Sequence, residues 1–349
     1  MLKTTLTSML LLAALAGTGA AQEYTLRATA NSNEQDEDFD GLVVFKNYVE
    51  NASNGAIKVD LFIGTQLCGN GAECLQGVAD GSIDIFMSTS GGAAGIFPYI
   101  QILDLPYLMS DDRVAEAVLT SDFPTMLRDR MLDSSGGKIR LMTIGNTGGW
   151  RSIANTEKRV QTPADLAGMK LRTVEADLPQ ELVRALGASP TPIPWPDLFT
   201  SLQTGVVEGT QNGITDIMNM KFPDAGLNYL TLDNHSYMGG FWFMSNDRFM
   251  SMPEDMRQIV ADGFYQLQQA TFASPKRKSI AGYEEFAAAG GDLYVPTAEE
   301  KAAFQEAAAP VYEWFTTSVE DGAEVFAAFE EAVAAAQSEV DAERASEIN

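Results

Sequence analysis

Histidine is almost absent from this chain of 349 residues, because His235 is the only one. The sequence therefore has no HExxH pattern and no histidine cluster, and no GxSxG motif marks an activated serine. These gaps remove the usual zinc hydrolases and serine hydrolases from consideration. His235 lies beside aromatic residues in LDNHSYMGG, and we expect it to be a structural imidazole rather than a catalytic one.

Cysteine is equally scarce, since Cys68 and Cys74 are the only two and lie six residues apart in LCGNGAECL. In an exported chain, a close and even pair predicts a disulfide, the alternative being two buried free thiols. A metal site is not expected here, because the pair has no histidine companions and its spacing does not suit zinc.

Positive charge is also in short supply, with 23 Lys and Arg against 48 Asp and Glu, and the formal net charge is -25. Nucleic acid is excluded as a partner by this balance, because phosphate binding needs a basic surface. An anionic membrane surface is disfavoured for the same reason. A small anionic ligand remains compatible with the composition, because one recessed arginine can dominate the charge of its own pocket.

The only marked apolar run is at the N-terminus, where Lys3 is followed by apolar residues from Leu6 to Ala16 and small residues up to Ala21. This layout predicts a cleavable signal peptide at 1–21 and a periplasmic location for the mature protein. An anchored helix is the alternative, although the run is shorter than the ~20 residues that a bilayer span needs. The absence of a cysteine near the expected cleavage point argues against a lipoprotein.

Strand and helix patterns alternate after the signal. Strands are predicted at 24–30, 56–63 and 83–90, separated by helices at 39–50 and 72–79. This spacing predicts a parallel sheet with helices on its faces. The third strand ends in a polar segment that includes Ser90, where open sheets of this kind bind ligands.

The remaining length suits a second lobe of the same α/β class. A glycine-rich segment at 145–150 is predicted to cross between lobes, and 238–246 is predicted to be a strand that crosses back. Helical regions are expected at 111–134, from 253 to 272 and from 297 to 345. The predicted organisation is a hinged clamshell with the following parts: first part of lobe I 22–147, lobe II 148–239, and a return to lobe I with C-terminal helices spanning both lobes 240–349.

Arg172 is the strongest candidate for binding, because it lies in the apolar strand pattern GMKLRTV. A buried guanidinium needs an anionic partner, and its planar fork matches a carboxylate. The alternative is a surface arginine paired with a nearby acid. Arg151 follows the predicted crossing and is either a second anion contact or an ordinary solvated residue.

Two tryptophans and one asparagine complete the candidates that the residues themselves suggest. Trp150 and Trp195 could line a ligand cleft or belong to the core. Asn212 lies in GVVEGTQNGI, where its amide could orient a carboxylate or form an Asx-turn.

Four segments together resemble one protein family. WPDLFTSLQTGVVEGTQNGI at 195–214 and PADLAGMKLRTV at 163–174 are similar to second-lobe signatures of this family, and ILDLPYLMSD at 102–111 and LQGVADGSIDIFMSTS at 75–90 to first-lobe ones. The family is that of the solute-binding proteins of TRAP transporters, of the four-carbon-dicarboxylate-binding (DctP) type. The resemblance implies an α/β two-lobe periplasmic-binding-protein fold with a long bracing helix.

The resemblance also implies roles for individual residues. Arg172 would form the salt bridge to the ligand carboxylate, Asn212 would be the ligand-binding asparagine, and Arg151 a second arginine. Asn31, Ser90 and Phe241 face the cleft by approximate position only. The sequence departs from the family pattern at these places: Glu208, Thr210, Gln211 and Gly213.

The function implied is capture of a small carboxylate or sulfonate by lobe closure and its delivery to the TRAP permease subunits of the membrane. No cofactor, no metal and no chemical step are expected, and a monomer is expected. Dicarboxylates, sugar acids, keto acids, amino-acid-like compounds and sulfonates all remain open as ligands. The alternatives are a sensory module for a membrane receptor and an exported enzyme.

Overall fold

The structure, a computed structural model, describes residues 23–348, so the expected signal peptide at 1–21 lies outside the described residues. One mixed sheet runs through this part of the chain. Its strands are β1 (Tyr24–Ala30), β2 (Ile57–Ile63), β3 (Ile85–Ser88), β4 (Ile139–Asn155), β5 (Lys170–Thr173), β6 (Ser189–Pro192), β7 (Gly209–Asn212), β8 (Tyr229–Ser245) and β9 (Asp292–Tyr294).

Helices cover the faces of this sheet. Within residues 23–348, none of them combines the length and apolar character that crossing a bilayer requires. The helices are α1 (Glu37–Ala52), α2 (Gly71–Asp80), α3 (Ser90–Ala93), α4 (Asp112–Thr120), α5 (Phe123–Ser134), α6 (Asp177–Ala185), α7 (Leu198–Gln203), α8 (Ile214–Asn219), α9 (Asn246–Met250), α10 (Glu254–Ala288), α11 (Ala298–Ala308), α12 (Pro310–Ser318) and α13 (Gly322–Glu347).

The strand order is β2-β1-β3-β8-β4-β7-β5-β6, with β9 paired to β8. At one end β1 pairs in parallel with β2 and β3, and at the other end β5 pairs in parallel with β6 and β7. The two 17-residue strands β4 and β8 run antiparallel through the middle and join both ends. The α/β two-lobe fold is therefore confirmed, with each lobe built around one parallel strand group.

The predicted glycine-rich crossing at 145–150 lies inside β4 as an irregularity in its pairing with β8. The register with β8 shifts between Asn146 and Trp150, and Gly148 and Gly149 have φ angles of 118° and 84°. Residues that carry a side chain rarely adopt such positive φ angles, which explains why this bend is formed by glycines. The boundaries at 147 and 239 remain predictions, since the strands continue through them.

The long bracing helix is α10, which has 35 residues and contacts α1 in the first strand group and α8 in the second. The close packing of α10 against α1 depends on two glycines, one on each helix. A Cβ at Gly41 would lie 2.7 Å from Thr271 Cγ2, and a Cβ at Gly263 would lie 2.6 Å from Val49 Cγ2. Both distances are too short for real contacts, so glycine is required at both crossing points.

Two regions that the sequence predicted to be helical each contain several shorter helices. The region 111–134 contains α4 and α5, because Ser121 is extended and its hydroxyl accepts a hydrogen bond from the Phe123 N–H at 3.2 Å. The region 297–345 contains α11, α12 and most of α13. Pro310 begins α12, and Asp321 has a φ of 54° before α13. Helical composition alone does not locate such breaks.

Cys68 and Cys74 form a disulfide that joins the segment after β2 to α2, as the sequence predicted. Both residues are buried in the largest hydrophobic cluster. The bond closes a short loop before the α2 N-terminus, where Asn70 Oδ1 accepts a hydrogen bond from the Glu73 N–H at 2.9 Å.

Reduction of this disulfide should lower the free energy of unfolding by about 2 kcal/mol, because the closed loop restricts the unfolded chain. Urea unfolding with and without a thiol reductant measures the difference. The double variant Cys68→Ser and Cys74→Ser is the control, since its unfolding midpoint should not respond to the reductant. An equal unfolding midpoint for the oxidised and reduced wild-type protein would contradict the prediction.

Candidate functional site

Three neighbouring strands of the second group bring together the three main candidates. Arg151 is on β4, Asn212 ends β7 and Arg172 is on β5, and these strands are consecutive in the sheet. Asn212 pairs with Ser152 across the β4–β7 ladder. The strand order brings the two arginines and the asparagine close together, and all three line the same cleft.

Arg172 is 3 % exposed, and its Nε donates a hydrogen bond to the Ile193 carbonyl at 2.9 Å. Its guanidinium carbon lies 5.6 Å from the centre of the Trp195 ring. Burial, and then the nearby Arg151, lower the pKa of Arg172 to about 9, which leaves it charged at neutral pH. No carboxylate within residues 23–348 forms an ion pair with it, so the geometry leaves its charge open to an anion.

Arg151 is also buried, and its Nη1 donates to the Gln211 carbonyl at 3.0 Å. Its Nε lies 3.6 Å from Asp104 Oδ1, beyond hydrogen-bond distance. Burial raises the pKa of the Asp104 carboxyl. Asp104 is therefore a weak partner. Glu175 and Asp216 also act on the charge of Arg172, but neither forms an ion pair with it within residues 23–348. The pair as a whole favours an additional negative charge.

The amide of Asn212 is fixed on both sides. Its Oδ1 accepts from the Thr210 hydroxyl at 2.7 Å, and its Nδ2 donates to Asp216 Oδ2 at 2.9 Å. Thr210 is one of the departures from the family pattern, and its hydroxyl orients this amide. Gly213 is another, and it is required because a Cβ there would overlap the Gly148 carbonyl oxygen.

A cleft with about 710 Å³ of atom-free space, counted up to its open mouth, separates the two strand groups. Five of the seven ligand-binding residues predicted from the sequence line it: Asn31, Arg151, Arg172, Trp195 and Asn212.

Two of the predicted residues do not line this cleft. Ser90 begins α3 and is buried, while its neighbours Thr89 and Gly91 reach the cleft. Phe241 lies inside the core, stacked on Phe243 with ring centres 6.4 Å apart. Both were placed by approximate position, and neighbouring residues of a strand or of a helix point in different directions.

Four acidic residues of the cleft were missed by the sequence analysis: Asp36, Asp38, Glu175 and Asp216. Asp36 and Asp38 lie at the start of α1, and Asp216 lies on α8. The acidic run NEQDEDFD directly after the first predicted strand was the available signal. Within this run, Asp36, Glu37 and Asp38 are all buried.

We call Asp36, Glu37, Asp38 and Asp216 the carboxyl cluster. Burial raises the pKa of each of them. Charge repulsion within the cluster adds to the effect for Glu37, Asp38 and Asp216, and repulsion by Asp40 adds to it for Asp36. For Glu37 the pKa rises to about 7, first through burial and then through Asp36. Asp36 retains a structural role, since its Oδ1 accepts from the Asp38 N–H at 3.1 Å as the N-cap of α1.

His235 and Trp150 take no part in the lining of this cleft. His235 is buried, and its Nδ1 lies 2.8 Å from Asp233 Oδ2, which also accepts a hydrogen bond from Tyr107 at 2.9 Å. The Trp150 Nε1 donates to Asp112 Oδ1 at 2.8 Å. Both residues have structural partners, in line with the structural interpretation of the histidine.

Comparison with known proteins gives a consistent result. The family model "Bacterial extracellular solute-binding protein, family 7", or DctP, matches residues 28–318. The 2,3-diketo-L-gulonate-binding periplasmic protein YiaO of Escherichia coli K12 is 27 % identical over 318 residues, which cover 90 % of this chain and 94 % of YiaO. A solute-binding protein of Verminephrobacter eiseniae is 30 % identical over 292 residues, covering 84 % of this chain and 85 % of the relative.

Among solved structures, a TRAP periplasmic solute-binding protein of Desulfovibrio salexigens with bound orotic acid is similar to this chain. It superposes with a TM-score of 0.84 at 25 % identity, covering 90 % of this chain and 99 % of the other. The match to the family model spans most of the chain and includes the strands that carry both arginines. The chain therefore belongs to the DctP family, family 7 of the bacterial extracellular solute-binding proteins.

Proposed function

We propose that this protein binds a small organic acid in the cleft and delivers it to the membrane subunits of a TRAP permease. The observation that carries the proposal is the pair of buried arginines, which face the cleft without a strong protein carboxylate partner. YiaO is named for 2,3-diketo-L-gulonate and the Desulfovibrio protein holds orotic acid, and both compounds are acids. Residues 1–21 would direct export to the periplasm and be removed.

In the proposed mechanism the acid group binds first to Arg172 and Arg151, and Asn212 orients it. Charge-assisted hydrogen bonds to a guanidinium are stronger than neutral ones, and a bidentate pair also fixes the direction of the carboxylate. Trp195 packs against Arg172 and limits its movement. The protein performs no chemical step on the solute in this scheme, and binding and release are its whole function.

Closure of the lobes would then exclude water from the site. Contacts between the two strand groups support this step. The Thr215 hydroxyl of α8 donates to Glu37 Oε1 of α1 at 2.6 Å, and the Leu178 N–H donates to Gln101 Oε1 at 2.8 Å. Gly91 and Val174 come so close that a Cβ at Gly91 would lie 2.8 Å from the Val174 Cβ. This arrangement suits the closed state of a clamshell.

Arg172→Ala should lower the affinity for the bound acid about 100-fold or more, because two charged hydrogen bonds are lost. Arg172→Lys should also bind weakly, since an ammonium cannot reproduce the fork. Isothermal titration calorimetry with an acid identified by a thermal-shift screen measures both. Arg184→Ala is the matched control, because Arg184 is exposed and pairs with Glu181 on α6. Unchanged affinity in Arg172→Ala would refute the proposed site.

Gly91→Val should prevent full closure, because its side chain would meet Val174 and the Glu175 backbone. We expect a loss of affinity of about 10-fold to 100-fold, as for an overpacked contact. Small-angle scattering should show that the acid no longer reduces the radius of gyration. Gly95→Val is the control, since no atom lies within 4 Å of its added Cβ. Wild-type compaction of Gly91→Val would show that this contact does not limit closure.

A further inference from the structure

The carboxyl cluster is not explained by binding of an anion. Asp36, Asp38 and Asp216 line the same cleft as the two arginines, and Glu37 lies directly behind them. All four side chains are buried. A ligand with only negative charge would bring its charge close to this group, which opposes binding. The side of the cleft with the two arginines therefore favours an anion, whereas the side with the carboxyl cluster does not.

Donors already point at the oxygens of the cluster. Asp38 Oδ2 accepts from the hydroxyls of Thr147 at 3.1 Å and of Ser32 at 3.4 Å, and Asp216 Oδ2 accepts from the Asn212 amide. A carboxyl group accepts such hydrogen bonds both when it is ionised and when it is neutral. Asp38 Oδ1 is buried and has no hydrogen-bond partner in the part of the chain that the structure describes. That oxygen belongs to a residue lining the cleft, so a ligand group can supply its partner.

The protein supplies little compensating positive charge. Within residues 23–348, no lysine or arginine forms an ion pair with Asp36, Asp38 or Asp216. Lys278 is the nearest cation to Asp36 and Glu37, but its Nζ pairs with Asp40 Oδ2 at 2.8 Å.

A resident metal ion does not replace that charge. No three carboxyl, imidazole or thiol groups of the described residues are arranged to hold a metal. Buried charges are normally paired, and an unpaired one is strongly destabilising. Arg151 partly offsets the charge of Asp216, and protonation neutralises buried carboxyls that have no cation beside them. For the ionised form of the cluster, the remaining source of positive charge is the ligand.

We propose, as a refinement that rests on the proposed function, that the solute is a short zwitterion. Its carboxylate or sulfonate binds Arg172 and Arg151, and its protonated or quaternary nitrogen binds the carboxyl cluster through Asp38. The apolar side chains of Phe86, Met87 and Met238 also line the cleft and suit a short carbon chain or N-methyl groups between the two charges. A dicarboxylate is disfavoured, because its second acid group would face the cluster.

Proton release accompanies this mode of binding. Burial, Asp36 and Glu37 hold the pKa of Asp38 well above its usual value, and Asp216 adds to the repulsion while the Thr147 hydroxyl opposes it. For Asp216 the pKa is likewise raised, with Arg151 and Asn212 as the opposing groups. A cationic nitrogen favours the ionised carboxylates and so lowers their pKa, which releases protons into the buffer. A hydroxyl in the same place carries no charge and has a much smaller effect.

Matched compounds separate charge from shape. Glycine betaine and 3,3-dimethylbutanoate have nearly the same shape, but only the first is a cation at its bulky end. 4-Aminobutanoate and 4-hydroxybutanoate form a second pair. Calorimetry at pH 6 should show at least about 10-fold tighter binding of each zwitterion than of its partner. The zwitterion heats should also depend on the ionisation enthalpy of the buffer in the direction of proton release.

Asp38→Asn tests the residue itself. It should weaken binding of the zwitterion about 30-fold and change binding of the isostere that lacks the positive charge less than about 3-fold. Asp216→Asn is a second variant, with a smaller effect of the same sign, and circular dichroism checks the fold of both. Glu34→Gln is the matched control, because Glu34 precedes the same helix but is exposed. Equal losses for both ligands in Asp38→Asn would overturn the assignment of the nitrogen to Asp38.

The outcomes distinguish this inference from the function on which it rests. If galactonate or succinate binds tightly, loses affinity in Arg172→Ala and outcompetes every zwitterion, the inference is wrong and the proposed function stands. If no acid of either series binds, the proposed function itself is contradicted. If zwitterions bind only when CaCl₂ is added, the positive charge comes from a metal and the inference is overturned.

Discussion

The pair of buried guanidinium groups at Arg151 and Arg172 is the constraint on which the site depends. Their strands lie on either side of β7, so the sheet fixes both groups before a ligand arrives. Moving a charge out of water costs several kcal/mol unless a partner compensates it. Asp104 lies 3.6 Å from Arg151, and the charges of Glu175 and Asp216 act on Arg172 without forming an ion pair with it in the described part of the chain. An anionic group therefore stabilises the closed state more than the open one, which couples binding to closure.

The glycine bend in β4, which is the predicted crossing between the lobes, packs directly against residues of the cleft. The positive-φ bend at Gly148 and Gly149 in β4 lies against the start of α8. A Cβ at Gly148 would lie 2.7 Å from Asp216 Oδ2, and Gly213 faces the Gly148 carbonyl. A change in the bend must move Asp216, and with it the amide of Asn212. The glycine at 213, a departure from the family pattern, follows from this close packing.

The sequence was most informative where local pattern decides the structure. The strand predicted at 24–30 coincides with β1, because alternation of buried side chains is visible in a short window. The Cys68–Cys74 disulfide was predicted from spacing and export.

Arg172 was singled out for being charged within an apolar strand, and the structure places it beside Arg151 and Asn212 in the cleft. Which of these groups contact the solute remains a prediction. The three lie on separate segments of the chain, so their proximity depends on the order of β4, β7 and β5 rather than on any local pattern.

Other features depend on contacts that no short window reveals. Phe241 and Ser90 were assigned to the cleft, but both side chains are packed elsewhere because the face of a strand or helix is set by its partners. The acidic run before α1 has the composition of a solvated loop. It is buried because α8 and β4 pack against it, through Thr215 and Thr147. Breaks between the C-terminal helices follow from single residues such as Asp321, whose positive φ no composition predicts.

The overall charge of the protein bears on the kind of solute that reaches the cleft. With 48 acidic and 23 basic residues, the surface repels anions as they approach, although salt screens this effect beyond about 8 Å. An anionic ligand is stabilised by positive charge only once it reaches Arg151 and Arg172 inside the cleft. A zwitterion has no net charge and meets no such repulsion, while both of its ends find complementary walls within the cleft. The acidic surface and the carboxyl cluster thus favour the same class of ligand, one at the stage of approach and the other after entry.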